Sequence, residues 1–457
     1  MVTMTDPRTL AGVAPVAASH AVSAAEMAVA DAHQAYAAGR PISSAQAAAA
    51  SVVLPAGSTR SVLDFEPFPF RVARAEGSNL HDVDGFSYVD LLGDYTAGLF
   101  GHNPPVVRAA IEAVLDRGWS LGAIADNEHR LAELITGRFP SIEQVRFTNS
   151  GTEANLMAIS LARHVTGRSK VLVFDGAYHG GLLYFGATGG PLQAPFDYER
   201  ARYNDLAGVQ DLLARVGDEV ACVLVEPMMG SGGCLRGTPE FLGGLADACR
   251  RHGVVLIFDE VMTSRMSIGG AQQRLGITPD MTTLGKYLGG GMTFGAFGGP
   301  GDMMAAFDPA RGGALTHGGT FNNNAFTMAV GAAAMAELLT AEALDALFER
   351  GEALRRRLQD RVGDRALQVT GWGSIIAIHA TEGEVRRPED LASVDAAVAE
   401  LVFHGLLARG FYVARRGFLA LSLAVGDAQI DAFVAAFGDV VDDLTERGFL
   451  VVDSLRF

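Results

Sequence analysis

The sequence predicts an α/β fold: a mainly parallel central sheet in a large domain, followed by a smaller α+β domain. Three features carry this. From about residue 90, short apolar runs alternate with helical patterns. The runs are continuously apolar, as strands covered on both faces must be. After about residue 340 the texture changes to a long charged helix, "LFERGEALRRRLQDRV", and then to short strands and amphipathic helices.

Taken in order, the predicted strands are "QVRFT" (144–148), "KVLVF" (170–174), "ACVLVE" (221–226), "VVLIFD" (254–259) and "MTTLG" (281–285). Helix-like segments such as "TEANLMAISLARHV" (152–165) and "TPEFLGGLADACRRH" (238–252) lie between them. The predicted division is an alanine-rich extension over 1–45 and a segment over 46–90 that packs with the small domain. The large domain follows over 91–340, and the small domain over 341–457.

Bulk properties narrow the function. With 457 residues the chain is long enough for two cores. Its 49% hydrophobic and 19% charged content is globular. A formal net charge of −16 argues against a nucleic-acid binder. Cys222, Cys234 and Cys249 have no CxxC spacing, which fits a reducing cytoplasm and no structural zinc. No run of ~18 apolar residues is free of polar interruption, so no membrane span is expected. The alanine-rich start carries His20, Glu26 and Asp31, which suits a loosely packed helical extension better than a signal peptide.

In open α/β sheets, ligands gather at the carboxyl ends of strands. Those ends read "NSGTEAN", "DGAYHGG", "PMMGSGG" and "DEVMTSR", and the strand "MTTLG" is followed directly by Lys286. Ser150, Gly151 and Thr152 open a helix whose N–H groups and dipole suit a phosphate, although they also suit a plain helix cap. Asp259 ends an apolar strand, where it is either a cap or an acid held against a protonated ring nitrogen. Glu226 invites the same two readings. Tyr178 follows a third strand, as a stacking ring or a core tyrosine.

Of 36 Lys plus Arg only Lys170 and Lys286 are lysine, so 34 are arginine. Only lysine offers an amine that can lose its proton and attack a carbonyl. Lys170 heads a strand, where its amine is expected in solvent. Lys286 follows one, in a run almost free of charge. The glycines behind it either admit a cofactor or turn tightly. A phosphate cradle, a flat aromatic face, a carboxylate and an amine together are what pyridoxal 5′-phosphate needs.

The ordered motifs "NSGTEAN", "GAYHGG", "VEPMMG", "FDEVMTSR", "TTLGKYLGGG" and "HGGTFNNN" resemble the class III aminotransferases of PLP-dependent fold type I, within them the glutamate-1-semialdehyde aminomutase branch. More narrowly, "GSTRSVLDFEPFPF", "LRGTPEFL", "LGKYLGGGMTFGAFGG" and "GTFNNNAFTMAVG" resemble the β-phenylalanine (aromatic β-amino acid) aminotransferases. The likeness runs from about residue 50 to the C-terminus and leaves residues 1 to about 40 uncovered.

The resemblance implies roles residue by residue. Lys286 matches the Schiff-base lysine, and Asp259 the partner of the pyridine nitrogen. Ser150, Gly151 and Thr152 match the phosphate loop, and Thr320 a threonine that reaches the phosphate from the other subunit of a homodimer. Tyr178 matches the stacked residue, Val261 packs the ring's other face, and Glu226 lies near the ring's 3′ oxygen. Arg60 and Arg416 match two carboxylate-binding arginines. Arg415 departs from the family, which carries a smaller residue or proline there, so either arginine of the pair could face the pocket.

The implied reaction moves an amino group from a β-amino acid to a 2-oxo acid such as 2-oxoglutarate or pyruvate. An intramolecular aminomutase shares the cofactor but needs no external acceptor. A racemase differs in where the proton returns. A non-catalytic protein of the same fold would have no need of Lys286 and Asp259 together.

Overall fold

A computed structural model describes residues 23–186 and 190–451. Its centre is a seven-stranded sheet in the order Gln144–Thr148, Gly295–Gly299, Met281–Gly285, Val255–Asp259, Val220–Val225, Lys170–Phe174, Asp197–Ala201. All neighbours run parallel except Gly295–Gly299, which is antiparallel to both of its partners. The sheet is therefore mainly parallel, as expected. Its one reversed strand is the glycine-rich "GAFGG", which reads as a turn because it lacks β-branched residues.

Register decides where the chemistry sits. Because Gly295–Gly299 is antiparallel on both sides, Gln144–Thr148 is again parallel to Met281–Gly285. The carboxyl ends that precede Asn149, Asp175, Glu226 and Lys286, and the one that carries Asp259, thus share one edge. Val220–Val225 and Val255–Asp259 are buried at every residue, which explains their unbroken apolar sequence.

The helices begin where side chains can cap them. Ser150 accepts the Glu153 N–H at 3.2 Å, Thr238 precedes Pro239 at the first helical position, and Thr340 caps Ala341–Val362. Among the described residues no single helix is long and apolar enough to cross a membrane.

A second sheet joins the N-terminal strands Val72–Glu76, Asn79–Asp82 and Ser87–Asp90 to Phe411–Tyr412 near the other end of the chain. Gln368–Trp372, Ile375–His379 and Phe418–Ala420 form a third. Residues 1–22 of the alanine-rich start lie outside the described residues. The part that is described is not loosely packed. Ser23 and Glu26 form a capping box for Ala24–Ala38, and that helix buries Ala28 and Tyr36.

Lys170 also corrects the expectation made for it. Its amine is not free in solvent: Nζ lies 2.9 Å from Glu199 and 3.3 Å from Glu219. A strand head beside two carboxylates gives it an ion-pair role.

The segment leading to Arg60 is tied down by a buried charge. Arg40 donates from Nε and Nη2 to Tyr88 Oη at 3.0 and 2.7 Å, and Tyr88 Oη donates to Asp82 at 2.8 Å. Arg40 itself lies 3.6 Å from Asp82, with both side chains almost wholly buried. Removing one member of such a pair strands the other. Asp82→Ala is expected to cost about 3–5 kcal/mol, and Asp82→Asn less, measured as the shift in denaturant midpoint.

Candidate active site

Asp259 organises the site. Its Oδ2 accepts Asn155 Nδ2 at 2.8 Å and lies 2.8 Å from His179 Nδ1, and its Oδ1 accepts the Val261 N–H at 3.0 Å. Asn155 is oriented in turn by Thr283 Oγ1, 2.6 Å from its Oδ1. The carboxylate thus ties the first turns of Gly151–Thr166, the loop after Lys170–Phe174 and the strand that ends before Lys286.

The predicted phosphate loop sits at that helix start. Ser150 caps it, and Glu153 reaches back to the Asn149 N–H at 2.8 Å. Val261 fills the groove between this loop and the lysine: a Cβ on Gly151 would lie 2.8 Å from one of its methyls, and a Cβ on Gly285 3.1 Å from the other. Beyond Thr152 the loop closes on Gly180. With φ at +115° and Thr152 Oγ1 2.0 Å from where a Cβ would stand, only glycine fits there.

Glu226 is buried and accepts the N–H groups of Tyr178 and Gly230, each at 3.1 Å. Burial pushes it up to about 7, with His179 opposing and Asp259 reinforcing the shift. Tyr178 is 41% exposed and meets Tyr184 edge-on at 5.5 Å.

Lys286 has φ of +56°, a left-handed conformation uncommon for a side-chain-bearing residue. Its Nζ donates to the Tyr95 carbonyl. That carbonyl is presented by four consecutive left-handed residues, Gly93 to Thr96. Strain on both partners concentrates where the amine is held. Burial lowers Lys286 to about 8; Asp94 and Asp259 act against that shift, and Arg60 and Arg416 with it.

The two arginines come to Tyr95 from different elements. Arg60 lies 5.9 Å from the ring centre and Arg416 5.4 Å. Arg60 is paired with Asp94 at 2.5 Å, both about half exposed. Arg416 reaches Ser231 Oγ at 3.4 Å, whereas Arg415 turns away to Glu400 at 2.7 Å. Thr320 is exposed in a turn. Asn322, two residues on, contacts the predicted phosphate loop by accepting Asn149 Nδ2 at 3.0 Å.

Sequence reasoning did not single out His179, Asn155, Asp94 or Tyr95. The first two stand inside quoted motifs, "GAYHGG" and "NSGTEAN", and a polar residue one turn into an otherwise apolar helix is the available signal. Asp94 and Tyr95 carry none, because a backbone carbonyl in a strained turn has no sequence signature.

These residues fit pyridoxal 5′-phosphate. An anion would find the helix start, a flat ring would find Val261 on one side, a protonated ring nitrogen would find Asp259, and a carbonyl would find Lys286. One buried ring nitrogen of the wall, His179 Nε2, has no partner among the described residues. In the cofactor-free chain, limiting acylation should modify Lys286 with a midpoint near pH 8. Peptide mass spectrometry reads this directly, with Lys170 as the internal comparison. Asp94→Asn removes a neighbouring anion and should move the midpoint down; Arg60→Ala removes a cation and should move it up.

Residues 63–441 match the family model of class-III aminotransferases. The chain is 49% identical over 421 residues to the beta-phenylalanine transaminase of Variovorax paradoxus, covering 92% of this chain and 97% of that one. It is 38% identical over 403 residues to the glutamate-1-semialdehyde 2,1-aminomutase of Nitratidesulfovibrio vulgaris, covering 84% and 94%. The solved structure of a beta-phenylalanine aminotransferase from Variovorax paradoxus superposes with a TM-score of 0.91 at 48% identity, over 93% of this chain and 99% of that one. Agreement over so much of the chain, on a fold that gathers these strand ends at one edge, leads to one conclusion. The chain belongs to the class-III aminotransferases and is a pyridoxal 5′-phosphate-dependent aminotransferase of fold type I.

Proposed function

We propose that the enzyme takes its amino group from an aromatic β-amino acid and passes it to a 2-oxo acid such as 2-oxoglutarate or pyruvate. The carrying observation is the pair of guanidinium groups, Arg60 and Arg416, that approach Tyr95 and the lysine from two separate elements. A β-amino acid holds its carboxylate one carbon further from the reacting centre than a 2-oxo acid does. Two cations on separate elements can serve both. The 49% identity to a beta-phenylalanine transaminase supports the same choice.

Bound pyridoxal phosphate supplies a carbonyl for amines and a ring that accepts electrons. Lys286 would hold it, with Asp259 on the ring nitrogen, Ser150, Gly151 and Thr152 on the phosphate, Glu226 near the 3′ oxygen, and Tyr178 and Val261 on the ring's faces. Once displaced, Nζ of Lys286 moves the proton off and back onto carbon. Its burial brings the amine down to about 8, close enough to neutral pH for general-base work. Asp259 is held in place by Asn155, the Val261 N–H and His179.

A homodimer belongs to this reading, with Thr320 serving the partner subunit's phosphate. Support comes from exposed apolar side chains near that loop in sequence and along 115–124: Phe321, Leu115, Trp119, Leu121 and Ile124. Three buried, unpaired cysteines support a reducing, cytoplasmic setting. The domain division at about residues 90 and 340 is part of the same proposal.

A panel of α-, β- and ω-amino donors against both acceptors, read by the cofactor spectrum, tests the substrate. Turnover without any 2-oxo acid would instead favour an aminomutase. Lys286→Ala should abolish turnover. Arg416→Ala should raise the KM of the β-amino acid about 10- to 100-fold, the worth of one charge-assisted hydrogen-bonded pair of about 1.5–3 kcal/mol.

A further inference from the structure

Arg415 and the N-terminal helix have no part in the chemistry so far, yet one buried carboxylate joins them. Glu400 lies on Ala396–Ala408, and its side chain is only 8% exposed. A carboxylate so buried needs partners. It has three: His33 Nε2 at 3.2 Å from the helix Ala24–Ala38, His404 Nε2 at 3.3 Å from its own helix, and Arg415 Nε at 2.7 Å. Burial alone would push Glu400 up, but the histidine hydrogen bonds and the Arg415 charge bring it down to about 2. Two histidines and a carboxylate at this spacing could also hold a metal ion. Here the Arg415 guanidinium already supplies the positive charge, and the Glu66 carbonyl accepts His404 at 3.1 Å.

Arg415 and Arg416 are the two central residues of a tight turn. Gly417 N–H donates to the Ala414 carbonyl at 2.8 Å, and Ala414 N–H donates to Phe418 at 2.9 Å. Gly417 has φ of +81°, a Cβ there would fall 1.9 Å from the Ile378 carbonyl, and the Gly417 carbonyl accepts the Ile378 N–H at 3.1 Å, so the turn is docked closely on Ile375–His379. The two side chains here point apart, Arg415 to Glu400 and Arg416 to the Tyr95 ring. Holding one side chain therefore sets where the other goes.

We propose that Glu400, seated by His33 and His404, is a positioning residue for substrate binding: it draws Arg415 away from the pocket and so fixes the turn that presents Arg416 to the carboxylate. The inference rests on the reading of Arg416 as a carboxylate ligand. It gives the N-terminal helix a task, since His33 is its polar contact with Glu400. It also accounts for the doubled arginine: the first is structural, the second faces substrate.

The test compares Glu400→Gln, Arg415→Met, their double mutant and Arg416→Ala in the holoenzyme. Measured are KM and kcat for the β-amino acid, and Ki for an aryl-propanoate that has the carboxylate but no amine. Expected are 3- to 10-fold rises in KM and Ki for each of the first two, kcat within about twofold, and a double mutant no worse than the worse single. A role only in stability would lower the melting temperature and kcat without this split. If Glu400→Gln does not fold, Arg415→Met, at the half-exposed end of the pair, carries the same expectation. Unchanged KM and Ki in the singles, with Arg416→Ala still raising both, would overturn the positioning role. Arg416→Ala without effect would overturn the carboxylate reading and the proposal with it.

Discussion

Asp259 ends a strand with no exposed residue, and a carboxylate there must be surrounded by donors or give up its charge. The donors it finds belong to three different parts of the chain: Asn155 in the helix that opens the phosphate loop, His179 in the loop that carries Tyr178, and the Val261 amide leading away from the strand. Satisfying one buried acid therefore fixes three walls of the site at once. Thr283, three residues before Lys286, orients Asn155 from the next strand and extends the same network to the lysine. Losing any member leaves its neighbours both unpaired and unaimed, which is why networks of this kind fail as units.

Burial acts on the other ionisable groups in a consistent direction. It favours the neutral form, so Lys286 falls to about 8 and Glu226 rises to about 7. Both are thereby brought close to neutral pH, where a group can both take and release a proton. Surrounding charge then tunes the lysine. Two anions and two cations bear on it, and they act in opposite senses. The strained turn from Gly93 to Thr96 supplies the remaining contact, a neutral carbonyl that holds the amine in place without protonating it.

Much of this site is legible in the amino-acid sequence, for a physical reason. A parallel strand covered on both faces must be apolar throughout, so the polar residues that follow it stand out, and strand direction alone puts them on one edge. Lys286, Asp259, Glu226 and the loop at Ser150 are found that way. What escapes is what depends on tertiary geometry. The strand Gly295–Gly299 has no β-forming side chains beyond one phenylalanine and exists because two neighbours need a partner. Asp94 and Tyr95 matter through a turn that residue types do not announce. Which of Arg415 and Arg416 faces the pocket hangs on a helix near the opposite end of the chain.

That last dependence bears on how one pocket can serve two differently shaped acids. The Arg60–Asp94 pair is half exposed, and pairs of that kind contribute at most about 1 kcal/mol. In the proposed reading, an arriving carboxylate would take Arg60 from Asp94 at little cost, and an arriving aromatic group would leave it there. Arg416 is in the opposite situation. Its turn is closed by backbone hydrogen bonds, docked closely at Gly417 and braced through Arg415 by a buried carboxylate. Two movable cations would give little orientation, and two fixed ones would accept only one carboxylate position. One of each allows a fixed reference point with an adjustable second contact, and the difference lies in what holds each arginine: a half-exposed ion pair for Arg60, and for Arg416 a closed turn whose other central residue is tied to a buried carboxylate.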